Sequence, residues 1–155
     1  MARRNRTGRG PVGESQANGL AEAGIRSVEG QVRVLKAALE GRYNLTVHHS
    51  EHVMAWLVDH AATLLYRYGP GRDGKSPYHL LKGKPPSQPI AEFGECVLYR
   101  PHKGTQQVGK LSDRLKEGVW LGVSARSGEH FIGTADGVVK CRDIFRQIEA
   151  QRWNR

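Results

Sequence analysis

From Leu20 onward the apolar residues fall at Ala21, Ile25, Val28, Val32, Leu35 and Leu39. Gaps of 4, 3, 4, 3 and 4 draw one seam along a helix, over about five turns. Asn18 and Gly19 suit its non-helical start, with the capping residue itself left open. Glu22 then falls in the first turn, where the helix dipole favours a carboxylate. It lies off the seam, on a face shared with Arg26, Glu29, Arg33 and Lys36. The run from Gly41 to Asn44 breaks this pattern. A second one passes through Val53, Trp56, Leu57, His60, Ala61, Leu64, Leu65 and Tyr68, in steps of 3, 1, 3, 1, 3, 1 and 3 that match a buried helix face. Ser50 is the natural N-cap, and Gly69-Pro70-Gly71 stops the helix. The short connection allows the two helices to pack as a hairpin, with Trp56 and Leu57 against the first seam.

From Phe93 the period changes to two. Cys96 and Leu98 alternate with Val97 and Tyr99, and Val119, Leu121 and Val123 alternate with Trp120 and Gly122. Ser127-Gly128 and Asp136-Gly137 are turn signals. The second lies between Phe131–Thr134 and Val138–Cys141, where a two-residue type I′ hairpin turn is expected. Four or five short strands in this span predict a small antiparallel barrel, because one short sheet cannot cover both of its own faces.

The net charge of +9 and pI of about 9.9 favour a polyanionic partner, nucleic acid ahead of an acidic membrane surface. Arg3, Arg4, Arg6 and Arg9 supply four of these charges within the first thirteen residues, which contain no acid. The remainder is thus only mildly basic. Cys96 and Cys141, far apart, make no disulfide framework, so a reducing compartment is expected. The basic start lacks the apolar stretch of a secretory signal, and no run reaches the length of a membrane span. A soluble, intracellular protein with no membrane partner follows. His48, His49, His52 and His60 invite a zinc reading, but zinc needs four convergent ligands at the usual spacing, and these are lacking. His60 on the apolar face reads as a core histidine.

These patterns divide the chain into a disordered basic tail (1–13), a helical part (14–68), a Pro-, Gly- and Lys-rich linker (69–92), the barrel (93–148) and a short tail (149–155).

The run Ser15-Gln16-Ala17-Asn18-Gly19-Leu20-Ala21-Glu22 resembles the segment around the last acidic residue of retroviral and retrotransposon integrases, where an Asn-Gly or Gln-Gly pair precedes a Glu at the head of a long helix. A Glu that merely stabilises a helix start accounts for the same residue. Further on, Lys75-Ser76-Pro77-Tyr78-His79-Leu80 followed by Gly83-Lys84-Pro85-Pro86 is similar to a signature of Copia-type integrases. A short helical turn between Pro-rich flanks also explains it. Phe93-Gly94-Glu95-Cys96-Val97, Gly109-Lys110-Leu111, Gly118–Val123 and Val138–Ile144 then occur in the order of the SH3-like module that follows the Copia core. The resemblance is collinear from about Ser15 to Ile148, and order carries more weight than any one motif.

The resemblance implies a fold of class α+β: a two-helix remnant of a ribonuclease-H-like core, then a small SH3-like barrel. It implies that Glu22 is the third carboxylate of an Asp, Asp, Glu site for Mg²⁺, which activates and stabilises oxygens at phosphorus during DNA strand transfer. Twenty-one residues precede Glu22 and none is Asp, so the expectation is an incomplete integrase, catalytically silent alone and binding no metal. DNA is the expected partner, held weakly by Arg3, Arg4, Arg6 and Arg9 and by Arg26, Arg33 and Lys36. Other integrase protomers are a second, and the resemblance admits a nuclear location. The alternative is a non-enzymatic nucleic-acid or protein interaction module built on the barrel.

Overall fold

The computed structural model describes residues 14–87, 91–102 and 115–153. The expected tail at 1–13 and the Gly109-Lys110-Leu111 motif lie outside them. Three α-helices precede a five-stranded antiparallel sheet, an α+β arrangement. The first helix, α1 (Glu14–Tyr43), is 30 residues long and starts before the expected point. Asn18 and Gly19 lie inside it, and Glu22 sits in its third turn, beyond the reach of the N-terminal dipole. One interior Gly costs only about 1 kcal/mol relative to Ala, too little to halt so long a helix. The helix stops where Asn44 takes a φ of 50° and the Leu45 N–H donates to the Glu40 carbonyl at 3.2 Å, a left-handed cap that Asn tolerates.

The second helix, α2 (Val53–Tyr68), has His52 rather than Ser50 in the cap position and no side-chain cap. A tight turn replaces it: the Glu51 carboxylate accepts from the His48 N–H at 2.9 Å, and the Met54 N–H donates to the Glu51 carbonyl at 3.0 Å. The expected stop holds, with the Gly69 N–H on the Leu65 carbonyl. The segment read as linker carries a third helix, α3 (Pro77–Lys82).

The strands are β1 (Cys96–Tyr99), β2 (Lys116–Val123), β3 (His130–Thr134), β4 (Gly137–Cys141) and β5 (Ile144–Arg146). They pair in the order β4-β3-β2-β1-β5. The sheet is open, with β4 and β5 as its edges, so the expected closure into a barrel is not formed. Helices supply the cover that closure was needed for. Leu121, with Val119 and Phe131, packs on Leu39 of α1, Leu57 of α2, Val47 and Phe93. The other face gathers Val97, Tyr99, Trp120, Val123, Ile132 and Cys141 around Ala91. Cover on both faces explains why four consecutive β2 residues, Trp120 to Val123, are buried. The register shifts between Trp120 and Gly122. Gly122 has a φ of 130°, and a Cβ there would stand 3.1 Å from His60 Nδ1, so α2 approaches the sheet closely at this point. The β3–β4 hairpin forms where expected, but its turn is Ala135-Asp136. Gly137 already pairs with Thr134 and is the only one of the three with positive φ. A type I′ turn requires it at two residues.

Two polar features are buried. Glu95 is fully buried, and Arg146 grips its carboxylate with Nε at 2.8 Å and Nη2 at 2.7 Å. The Glu92 N–H donates to it at 2.9 Å, and Arg152 lies 3.5 Å away. Burial pushes the Glu95 pKa up, but the Arg146 and Glu92 hydrogen bonds and the two guanidinium charges outweigh it, so the net shift is downward. The Cys96 N–H also donates to the Arg152 carbonyl, and Trp153 packs edge-on against Tyr43. Residues 149–153 are therefore a 3₁₀ turn (Glu149–Gln151) and its docked continuation rather than a loose tail. The second feature is a histidine pair around Trp120. Trp120 Nε1 donates to His130 Nδ1 at 3.1 Å, and His60 stands edge-on to the same indole at 5.1 Å. His60 is a core histidine, as expected. Burial pushes its pKa down to about 4, and burial followed by the Arg67 charge lowers that of His130. Cys141 is also buried, its thiol pushed up to about 11 by burial and the nearby Asp143 and Glu129. No helix among the described residues is long and apolar enough to cross a membrane.

Glu95→Gln strands Arg146 beside a neutral group and is expected to lower stability by about 3 kcal/mol in urea denaturation. A loss below about 0.5 kcal/mol would show the pair to be dispensable. The acid profile should have two windows. His60 stays neutral in the fold while the unfolded chain takes up its proton below about pH 6.5, so stability falls as pH drops from there toward 4. Glu95, whose folded pKa is depressed, adds a further loss below the usual carboxylate range. His60→Phe should shrink the first window without abolishing it, because buried His130, whose pKa is also lowered, contributes there too; the readout is the difference in urea midpoint between about pH 7 and about pH 5. An unchanged difference would show that His60 is not the titrating group.

Candidate nucleic-acid interface

The cations expected to meet DNA on α1 each have an acid beside them; Arg26 and Arg33 are exposed, and Lys36 is partly buried. Arg26 pairs with Glu22 at 3.5 Å and Arg33 with Glu29 at 3.5 Å. Lys36 pairs with Glu40, whose carboxylate also accepts the Val47 N–H at 2.8 Å. The Lys36 hydrogen bond first, and the Val47 one second, lower the Glu40 pKa. Lys36 therefore helps to fasten the α1–α2 connection. Three acids against three bases leave this face with little net field for a phosphate backbone. Arg3, Arg4, Arg6 and Arg9 lie outside the described residues.

Glu22 is exposed and faces Arg26. Among the described residues no three His, Cys, Asp or Glu side chains group as a metal site would require. Mg²⁺ needs several oxygen ligands around it, and a single carboxylate already turned to a guanidinium does not fit it.

The segment after α2 has the opposite character. Arg72, Lys75, Lys82 and Lys84 face the single acid Asp73 over residues 69–87. All four cations are exposed, and none makes a salt bridge among the described residues. The local sequence shapes this stretch tightly. Ser76 Oγ accepts from the His79 N–H at 3.2 Å, and Pro77 fills the first helical position. Gly83 takes the left-handed cap with a φ of 71°, its N–H on the His79 carbonyl at 2.9 Å. Earlier, the Gly71 N–H donates to the Lys75 carbonyl and the Gly74 N–H to that of Gly71. Helix α3 then docks on α2 through one aromatic ring. Tyr78 stands edge-on to Tyr66 at 5.8 Å and covers the guanidinium of buried Arg67 at 5.4 Å. The result is a basic loop and helix on a fixed mount, with Leu80 and Leu81 exposed among the cations.

Along α1 charged residues of both signs recur every three or four residues. The i,i+4 spacing of Glu22 and Arg26, Glu29 and Arg33, and Lys36 and Glu40 was the signal that they would pair with each other. In the α3 segment, four cations to one acid was equally legible, but composition alone said linker. The sequence matches no protein-family model, and no curated protein or solved structure matches it.

Tyr78→Ala removes the ring that joins Arg67, Tyr66 and α3. Residues 77–83 should then exchange their amide hydrogens much faster, with a global loss of about 1–2 kcal/mol. Unchanged protection of these amides would mean that the caps alone hold α3 in place.

Proposed function

We propose that this chain is the carboxy-terminal part of a Copia-type retrotransposon integrase, acting as a nucleic-acid-binding segment with no strand-transfer chemistry of its own. The observation that carries the reading is the α3 segment. Its residues, from Lys75 to Pro86, bear the Copia-like signature, and Arg72, Lys75, Lys82 and Lys84 crowd four exposed cations around the single acid Asp73 with no salt bridge among the described residues. Phosphate contacts of this kind position a duplex without reading its bases. The five strands support an SH3-like module in this reading, with the last strand returning beside the first and the middle three forming a meander. The two packed helices support descent from the end of a ribonuclease-H-like core. Glu22 is then the vestige of the metal-binding set, and DNA is held by Arg72, Lys75, Lys82 and Lys84, by the arginines of the basic tail, and to a lesser degree by Arg26, Arg33 and Lys36.

One observation favours a second reading, a protein-interaction module: Leu80 and Leu81 offer apolar surface in the middle of the basic patch. Salt separates the two, because counterion release makes phosphate binding steeply salt-dependent and apolar docking is not.

Binding of a short DNA duplex by the intact chain, followed by fluorescence anisotropy, should weaken with salt by about 0.9 log units per phosphate neutralised per decade. Changing Arg72, Lys75, Lys82 and Lys84 to Gln should lower that slope by about 3. Deleting residues 1–9 should lower it by a similar amount. Arg26→Gln, Arg33→Gln and Lys36→Gln together should lower it by less than about 1, since each cation is already paired. Equal effects of the two helix variants would shift the interface to α1, and no binding at low salt would end the nucleic-acid reading. The same chain with Mg²⁺ should give no strand transfer. Activity abolished by Glu22→Ala would overturn the non-catalytic reading.

A further inference from the structure

Helix α1 is covered only along its second half. From Asn18 to Ser27 every residue is exposed, yet the apolar seam runs on through this stretch. Ala21, Gly24, Ile25, Val28 and Val32, with Val58 of α2, line an open groove. Leu20 is 72% exposed and Ile25 58%, and a Cβ at Gly24 would meet only open space. A continuous apolar seam on a helix facing water marks an interaction surface. We propose that this face docks the same face of a second copy of the chain, in antiparallel orientation, about a twofold axis near Arg26 and Ser27.

Charge selects both the occupant and the direction. One flank of the seam reads Glu22, Arg26, Glu29, Arg33: minus, plus, minus, plus. Reversed, it reads plus, minus, plus, minus. An antiparallel pair brings this flank of one helix against the same flank of the other. Glu22 then faces Arg33 of the second copy, and Arg26 faces its Glu29. The seam reverses onto itself in the same way, with Ala21 opposite Val32 and Ile25 opposite Val28. Its axis is displaced by about one residue, a stagger that interleaved helix ridges accommodate. A parallel pair would instead set the charged flank against Gly24, Gln31 and Ala38, which carry no charge. Self-complementarity under a twofold rotation is what an isologous dimer requires. The absence of a side chain at Gly24 lets the two helices approach closely. This inference does not depend on the nucleic-acid reading, whose strongest cations lie on α3.

Sedimentation of the intact chain without DNA, from about 1 to about 200 µM, should show a reversible monomer–dimer equilibrium. Ile25→Glu should leave it monomeric with unchanged helicity and urea midpoint, because Ile25 is already exposed in the single chain. Arg33→Glu should weaken the dimer about tenfold, since the twofold axis repeats each faulted contact. Adding Glu22→Arg to Arg33→Glu should restore it, although the double reversal breaks both ion pairs within the helix. A chain that stays monomeric throughout, or a dimer indifferent to Ile25→Glu, overturns the interface. A double variant no better than Arg33→Glu alone overturns the antiparallel register.

Discussion

Glu95 carries a charge into a position closed to water, and a carboxylate there must be matched on the spot. The match comes from Arg146 on β5 and Arg152 beyond the 3₁₀ turn, some fifty residues later in the chain. The backbone around Glu95 is engaged as well. The Trp120 N–H donates to its carbonyl at 2.8 Å, and the Gly94 N–H donates to the carbonyl of Trp120 at 2.9 Å. Tyr43 of α1 donates its hydroxyl to the Gly94 carbonyl at 2.6 Å. Gly94 takes a φ of 86°, which favours glycine, and a Cβ there would press on the Leu39 side chain of α1 at 2.4 Å. The first helix, the central strand, β5 and the 3₁₀ turn with its continuation therefore meet at residues 94 and 95. Buried ion pairs are poor sources of stability against apolar replacements but sharp discriminators of arrangement. Here the pair ties β5 to the segment that leads into β1.

The second constraint is the central strand. β2 is buried on both faces, so its residues serve two cores at once and alternation fails at Gly122. That glycine lets α2 approach until His60 stands against the Trp120 indole, whose N–H donates to His130. Arg67, one further face along α2, carries Tyr78 and through it α3. The basic segment is thus positioned by a polar spine running from the sheet through α2, and not by the apolar seam that first defines the helices.

The legible parts of this fold were those decided by local pattern. The steps of α2 named Leu57, His60 and Ala61, and all three are buried. Asp136-Gly137 located the β3–β4 hairpin to within one residue. Propensity was the weaker guide: Asn18-Gly19 reads as a helix start, but thirty helical residues outweigh one glycine. Glu95 was not legible, because nothing near Phe93-Gly94-Glu95 shows that Arg146 will return to meet it. The open sheet had the same origin, since closure was inferred from strands considered without the helices that cover them. At the candidate interface the cations of α1 were found from their spacing, whereas their neutralisation by neighbouring acids, present in the same spacing, was passed over.

Cys141 gives the sheet a built-in chemical clock. Its sulfur is sealed under the edge strand β4, and the raised pKa keeps it a thiol, the form that reacts poorly with electrophiles. Cys96, on β1, is partly exposed and contacts the Tyr43 hydroxyl at 3.8 Å. A thiol reagent therefore meets one partly exposed site and one closed site. Modification of Cys141 must wait for β4 to lift, so its labelling rate measures how often the outermost strand leaves the sheet. Of the two open edges, β4 is the one whose opening this thiol records.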